Sequence, residues 1–204
     1  MVGKVCIAVR GCRVFNNRGV SNKDAHSGNG IVLADVDGAL IEFNVAYGNG
    51  EKNSFGGGGP VGIWAWDANA VIIQFNESYG NKSGTFDGGG FDLDGGTTNS
   101  VMQYNYSHDN DGPGYQIAQF PYARRMDKNT IRYNISENDC RNNESCGAIN
   151  LWNGGSGINN TLIHNNTVFL TNTNKTISAF RFMTVTNNTH VYNNIFVTTE
   201  GAQP

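Results

Sequence analysis

A short phrase of alternating apolar and polar residues that ends in asparagine recurs along the whole chain. Its seven copies are Arg13–Asn16, Ile41–Asn44, Ile73–Asn76, Met102–Asn105, Ile131–Asn134, Leu162–Asn165 and Thr189–Asn193. Successive final asparagines lie 28, 32, 29, 29, 31 and 28 residues apart, which is a spacing typical of solenoid repeats. The chain is therefore predicted to consist of about seven copies of one structural unit.

Each repeat also contains a second apolar segment, which begins just after a glycine or an alanine. Its first apolar residues, which are expected to point inward, are Ile31, Ile63, Phe91, Tyr115, Ile149 and Phe180. Alternation with a period of two predicts strands instead of helices. A unit of about 30 residues cannot bury its apolar side alone, whereas copies stacked about 4.8 Å apart form continuous parallel sheets around one core. We therefore predict an all-β parallel β-helix that occupies residues 1–204 as a single domain.

The recurring asparagine has a structural explanation. An amide side chain both donates and accepts, so it can satisfy the backbone at a bend and also bond to the same residue one coil away. We interpret five of these residues as a structural ladder and not as a binding site: Asn44, Asn76, Asn105, Asn134 and Asn165.

Three phrases, Gly90–Gly96, Gln103–His108 and His164–Val168, resemble those of the pectate-lyase-like, right-handed parallel β-helix superfamily. The resemblance covers nearly the whole chain. It implies a right-handed helix and an extracellular or cell-surface location. It leaves the activity open, because the superfamily includes lyases, hydrolases, esterases, phage tailspikes and non-catalytic proteins. The chain lacks the Arg-Ile-Lys and Gly-His-Gly phrases of polygalacturonases and the Trp-Ile-Asp-His phrase of pectate lyases, which disfavours those two assignments.

Composition and charge limit the kinds of partner that the protein is expected to bind. The chain has 27 glycines, 4 prolines and a net charge of −3, a balance that favours tight turns between short strands. The longest cluster of basic residues is the pair Arg124–Arg125, so no nucleic-acid partner is expected. No apolar run approaches the roughly 20 residues of a membrane-spanning helix, so no membrane insertion is expected. Cys140 and Cys146 flank a short polar loop that either a disulfide closes or free thiols border.

The residues between the inward positions are predicted to point outward in two columns, because side chains alternate along a strand. The first column is Val32, Trp64, Asp92, Gln116, Asn150 and Arg181, and the second is Ala34, Trp66, Asp94, Ala118, Trp152 and Met183. Sugar rings offer apolar faces and many hydroxyls, so exposed aromatic rings beside carboxylates and amides are typical of carbohydrate grooves. A glycan is therefore the expected partner. Its predicted binding residues are Trp64, Trp66, Gln116, Tyr122, Asn150 and Trp152.

Asp92 and Asp94 are the first catalytic candidates. Their Cα atoms are expected to lie about 6.5 Å apart along one strand, and such a pair can divide the acid and base roles of glycoside hydrolysis if one pKa is raised. A polysaccharide lyase would instead need a base and a cation, for which Arg124 and Arg181 are candidates beside Arg125 and Lys128. His108 is a further candidate as a proton carrier. The extra residues of segment 120–126 are expected to form a wall beside Asp94.

No metal or other cofactor is required by this reading. A weaker alternative is that Asp87, Asp109 and Asp111 help to hold Ca²⁺ through oxygen ligands. A rival function is that of a non-catalytic structural or adhesive rod, such as a filament or tailspike segment. The absence of an amphipathic capping helix in the sequence leads us to expect a fragment of a longer helix, a homo-oligomer or end-to-end assembly.

Overall fold

The computed structural model describes residues 7–171, 174–183 and 186–199, and these form a parallel β-helix. The described ranges contain 22 strands and no helix. Two sheets have seven strands each and a third has six. The helix therefore has between six and seven coils, close to the seven that the repeats predict.

Each complete coil contributes one strand to each of three sheets, which we call A, B and C. Sheet A contains β1 (Ile7–Arg10), β4 (Asp37–Glu42), β7 (Asn69–Gln74), β10 (Val101–Gln103), β14 (Thr130–Arg132), β18 (Leu162–His164) and β21 (His190–Tyr192). Sheet B contains β2 (Arg13–Phe15), β5 (Val45–Tyr47), β8 (Glu77–Tyr79), β11 (Tyr106–His108), β15 (Ile135–Glu137), β19 (Thr167–Leu170) and β22 (Ile195–Thr198). Sheet C contains β3 (Ile31–Ala34), β6 (Val61–Trp66), β9 (Gly89–Leu93), β12 (Tyr115–Gln119), β16 (Cys146–Asn153) and β20 (Ile177–Phe182). A short pair, β13 (Met126–Asp127) with β17 (Ile158–Asn159), lies between sheets C and A.

The predicted inward residues of sheet C do stack in register. Ile31 pairs with Ile63, Phe91 with Tyr115 and Ile149 with Phe180, and the intervening pairs continue the column. Phe91 and Tyr115 are fully buried, and their rings stack with centroids 5.2 Å apart. Burial of these apolar side chains holds the coils together.

The predicted asparagine ladder forms at four of its five positions. Its side chains bond from coil to coil, since the Asn44 amide donates to Asn76 at 2.9 Å and the Asn105 amide donates to Asn134 at 3.1 Å. The fifth residue was predicted wrongly, because Asn134 donates to Asn166 and not to Asn165. Asn165 instead occupies the bend just before the ladder, with a φ of 57°.

That bend residue is an exposed aromatic in four other coils. Phe43, Phe75, Tyr104 and Tyr133 have φ values from 53° to 57°, and neighbouring rings stack with centroids 5.2 to 5.3 Å apart. Asparagine adopts this left-handed conformation more easily than most residues. This explains why the first of the two adjacent asparagines of the sixth coil takes the bend.

The first copy of the phrase is also out of register. Arg13 pairs with Val45, so Cys12 occupies the ladder position and donates its backbone N–H to the Asn44 side chain at 2.9 Å. Asn17 belongs to a second ladder, which the repeated apolar phrase does not reveal. Its members are Asn17, Asn49, Asn81, Asn110 and Asp139.

Cys140 and Cys146 form a disulfide, which settles the alternative left open by the sequence. Cys12 is a free thiol, and Cys6 lies outside the described residues. No helix capable of crossing a membrane occurs in the described part of the chain.

Candidate active site

The outward residues of sheet C line up as predicted. In the first column Trp64 pairs with Asp92, Asp92 with Gln116 and Gln116 with Asn150, and the column ends at Arg181. In the second column Ala34 pairs with Trp66, and Ala118 pairs with Trp152. Asp94 follows directly after β9, and its N–H donates to the Ala65 carbonyl at 2.8 Å.

The first column is not an exposed face, contrary to the expectation from alternation. Trp64 is 4% exposed and Asp92 is 2% exposed, because the loops that precede the strands of sheet C fold over them. Trp64 donates its indole N–H to Asn29 at 3.1 Å and meets the His26 ring edge-on at 5.2 Å. The second column remains accessible, since Trp66, Asp94 and Trp152 are each partly exposed.

Three carboxyl groups meet at the centre of this sheet. The Gln116 amide donates to Asp87 at 3.2 Å and to Asp92 at 3.3 Å, so it bridges the two. Asp87 also accepts the backbone N–H of Gly59, and Asp94 accepts that of Gly95 at 2.7 Å. The second carboxyl oxygen of Asp92, Oδ1, is buried with no hydrogen-bond partner among the described residues. Such an orphaned acceptor is costly for an ionised carboxyl group.

The electrostatics of the cluster favour protonation. Burial raises the pKa of Asp94 to about 7, and the nearby charge of Asp87 adds to the rise. Burial, with the charges of Asp94 and Asp87, raises the pKa of Asp92 well above its ordinary value. The pKa of Asp87 is raised by burial, against which the donors Gly59 and Gln116 favour the ionised form. Close carboxyl groups with separated roles are typical of acid–base sites.

The predicted wall beside Asp94 exists. The ring of Phe120 packs so close to the Cα of Gly95 that a Cβ there would lie 2.4 Å from it, and so only glycine fits. Phe120 also meets Trp66 edge-on, with centroids 6.5 Å apart. Gln119 anchors the wall, because its buried amide donates to the Arg124 carbonyl at 2.8 Å and to the Ser156 hydroxyl at 2.7 Å.

Two side chains of the wall lie elsewhere than expected. Tyr122 is fully exposed. The Arg124 guanidinium pairs with Asp67 and, at 3.1 Å, with Asp35, and so it bridges the turns that follow sheet C. It therefore has carboxylate partners of its own in place of Asp94.

His108 does not join the carboxyl cluster. It lies on sheet B in β11, whereas Asp92 lies on sheet C. Its two ring nitrogens contact Glu77 at 3.1 Å and Asp109 at 2.9 Å. The expectation that His108 carries protons for the aspartates is thus wrong in geometry.

The calcium candidates do not converge. Asp109 contacts His108, while Asp111 accepts the backbone N–H of Ser83 at 3.3 Å. Within residues 7–171, 174–183 and 186–199, no group of three or more histidine, cysteine or acidic residues is placed to hold a metal ion.

Two contributors to the site were missed or misjudged from the sequence. The sequence pattern does not single out His26, and it suggests Asp87 only as a calcium ligand. Both lie in loops, where the period-two pattern gives no orientation. The one available signal was the glycine run 88–90 immediately after Asp87, which indicates a close approach of the backbone to the strand.

The three sheets and the amide ladders define a parallel β-helix protein with a carboxyl cluster on one sheet. No family model matches the sequence, and no curated protein matches it. Among solved structures, the chain is similar to the crystal structure of the native GH136 lacto-N-biosidase from Eubacterium ramulus, with a TM-score of 0.60 and 24% identity. The match covers 84% of this chain and 26% of that one. The chain thus spans about a quarter of that protein's length, and the likeness shows the fold.

Proposed function

We propose that the protein is a carbohydrate-active β-helix that hydrolyses a glycosidic bond at Asp94 and Asp87. The observation that carries the proposal is the meeting of three carboxyl groups beside partly exposed tryptophans on sheet C. The name of the structural neighbour, a glycoside hydrolase, supports it at the level of the fold. In the proposed reaction of this protein, the faces of the sugar rings stack on Trp66 and Trp152, which lie on either side of Asp94.

The three carboxyl groups differ in what they can reach. Asp94 and Asp87 are partly exposed, whereas Asp92 is buried. We therefore assign Asp94, with a pKa of about 7, as the general acid. Its proton passes to the glycosidic oxygen as the bond to the anomeric carbon breaks.

Asp87 acts on the opposite side of the bond in its ionised form. Two N–H donors, from Gly59 and Gln116, hold its carboxylate. It either takes a proton from the attacking water or attacks the anomeric carbon itself and forms an ester with the sugar. In the second case water then cleaves the ester, Asp94 takes the proton of that water, and the Asp87 carboxylate is released. Asp92 is a positioning residue, because it is buried and acts on Asp94 and Asp87 only through its charge and through Gln116.

Hydrolysis is favoured over the lyase reaction by the position of the basic residues, since Arg181 lies three strands away from Asp92 in sheet C. A lyase needs a cation beside the sugar carboxylate. Arg124 already pairs with Asp67 and Asp35, and His108 lies on another sheet.

The test is incubation with neutral and uronate glycans, including oligosaccharides with terminal lacto-N-biose, with and without Ca²⁺. Reducing ends and the absorbance of unsaturated products are followed together. We expect reducing ends without absorbance, and their loss in Asp94→Asn. The matched control is Asp109→Asn, which removes an exposed carboxylate at the end of β11 on sheet B. Unsaturated products, or unchanged activity in Asp94→Asn, would refute the assignment.

A second candidate is the non-catalytic rod. The specific observation in its favour is the covering of Trp64, Asp92, Gln116 and Asn150 by loops, which makes part of the site secondary packing. If no glycan of the panel is cleaved and electron micrographs show regular filaments, this candidate is supported.

An extracellular location is part of the same proposal. The Cys140–Cys146 disulfide supports it, since disulfides persist mainly in oxidising compartments. Fractionation of the native host, with detection of the protein in the medium or on the cell surface, tests it.

A further inference from the structure

Arg181 ends the first outward column without a partner among the described residues. Several other arginines pair with acids, as Arg10 does with Glu42 and Arg18 with Glu51. Burial alone lowers the pKa of Arg181, with no carboxylate to oppose the change. A guanidinium that is partly desolvated and lacks a counter-ion is a ready binding group for an anion.

The neighbouring residue in the column, Asn150, does not hold the Arg181 side chain. The Asn150 amide donates through Nδ2 to Gln116 at 2.8 Å on one side. Its Oδ1 is buried and has no partner among the described residues, so no hydrogen bond with Asn150 restrains the guanidinium. Asn150 is 6% exposed and pairs in register with Arg181.

The backbone beneath Arg181 is shaped for this close approach. A Cβ on Gly147 would lie 2.4 Å from the Cβ of Arg181, so the glycine leaves the space that the arginine occupies. Beside them lies a cleft of about 310 Å³, to which Arg181 and Phe182 contribute with the hydroxyls of Ser145, Thr176 and Ser178. Phe182 is 48% exposed and offers an apolar ring face.

We propose that Arg181 and this cleft form a subsite for a carboxylate-bearing sugar, so that the glycan substrate is acidic. The guanidinium binds the carboxylate with two parallel N–H bonds. Hydroxyls of the cleft, such as that of Ser178, exchange hydrogen bonds with the sugar hydroxyls, and the sugar ring lies against Phe182. The inference rests on the proposed function, because it places this sugar on the same glycan three coils from Asp92. It concerns recognition and not bond cleavage.

The test measures binding in the Asp94→Asn background, so that no ligand is consumed. The probes are a trisaccharide ending in glucuronic acid, the same trisaccharide ending in glucose, and one ending in 6-sulfated glucose. Calorimetric titration should show tighter binding of the glucuronate. Adding Arg181→Gln should weaken glucuronate binding about tenfold or more, because the charge-assisted bonds to the carboxylate are lost, and should leave glucose binding within about twofold.

The matched control is Arg13→Gln, which removes an exposed arginine of sheet B and should change none of the affinities. Circular dichroism checks the fold of each variant. Equal binding of glucuronate and glucose, or an Arg181→Gln variant that keeps the preference, would overturn the proposal. Preference for the sulfated sugar would overturn the assignment to a carboxylate. Because the readout is binding, failure of hydrolysis in the parent protein leaves this comparison intact.

Discussion

At the residue scale, the protonation of Asp94 sets the pH dependence of the proposed reaction. The acid form is the active one, and its pKa is about 7. We expect kcat/KM to fall about tenfold per pH unit above that value, and Asp94→Asn to lower the rate by about 10²- to 10⁴-fold. A pH profile from 5 to 9 with a good substrate measures this. A rate that stays constant to pH 9 would contradict the role of general acid.

The ionised carboxylate of Asp92 is expected to lower the free energy of unfolding at neutral pH. Its pKa is higher in the folded state than in the unfolded chain. Its contribution to stability is therefore complete below pH about 4 and is lost as the pH rises through the folded-state pKa. Asp92→Asn should raise the free energy of unfolding at pH 7 by at least about 1 kcal/mol, or roughly 2–4 °C in Tm.

Thermal melts of both proteins at pH 3 and pH 7 check this expectation. The gain should vanish at pH 3, where the carboxyl group of Asp92 is neutral in both states. Equal Tm differences at the two pH values would mean that the charge of Asp92 is not the cause.

The sequence located these residues unevenly. Trp64, Asp92 and Gln116 were placed correctly because alternation along a strand fixes both face and register. Their burial was not foreseen, since it depends on loops whose course the pattern does not specify. Asp87 reaches the cluster through such a loop, and so its role emerges only from the folded chain.

At the element scale, the ladder predicts that the adjacent residues Asn165 and Asn166 contribute unequally to stability. Asn166 accepts from Asn134 and donates to the Ile131 carbonyl and to Asn194, all between 2.9 and 3.1 Å. Asn166→Ala leaves buried groups unpaired and should cost about 2–4 kcal/mol. Asn165→Gly, the matched control, keeps the left-handed bend and should cost less than about 1 kcal/mol. Urea unfolding of both variants is the measurement, and the reverse order would contradict the register.

The repeat is predictable from the sequence, but the residue that takes the ladder position in each coil is not always predictable. Where one asparagine follows an aromatic residue, as in Phe75-Asn76, the assignment is unambiguous. Asn165-Asn166 offers two candidates, and only the bend geometry separates them. The second ladder escaped notice because Asn49 and Asn81 lie outside the apolar phrase used to align the coils.

At the scale of the whole molecule, we propose that the chain associates through its last described coil. All three residues of β21 are exposed, and Ile195 of β22 is 59% exposed. Strand edges with apolar side chains favour pairing with another chain. Light scattering should show mass rising with concentration, and Val191→Lys with Ile195→Lys should abolish the rise. A monodisperse monomer at all concentrations would contradict the proposal.

The interchangeable contacts of the amide ladders have a consequence for how such a protein changes over evolutionary time. Asn76, Asn105 and Asn134 make the same bonds with coils of 29 residues between them. Duplication or loss of one whole coil would restore the same contacts across the junction. The span from Trp66 to Trp152 would then change in steps of about 4.8 Å, one coil at a time. Ladders that stabilise the rod thereby make the length of the proposed binding face a quantity that genetic duplication can adjust in fixed increments.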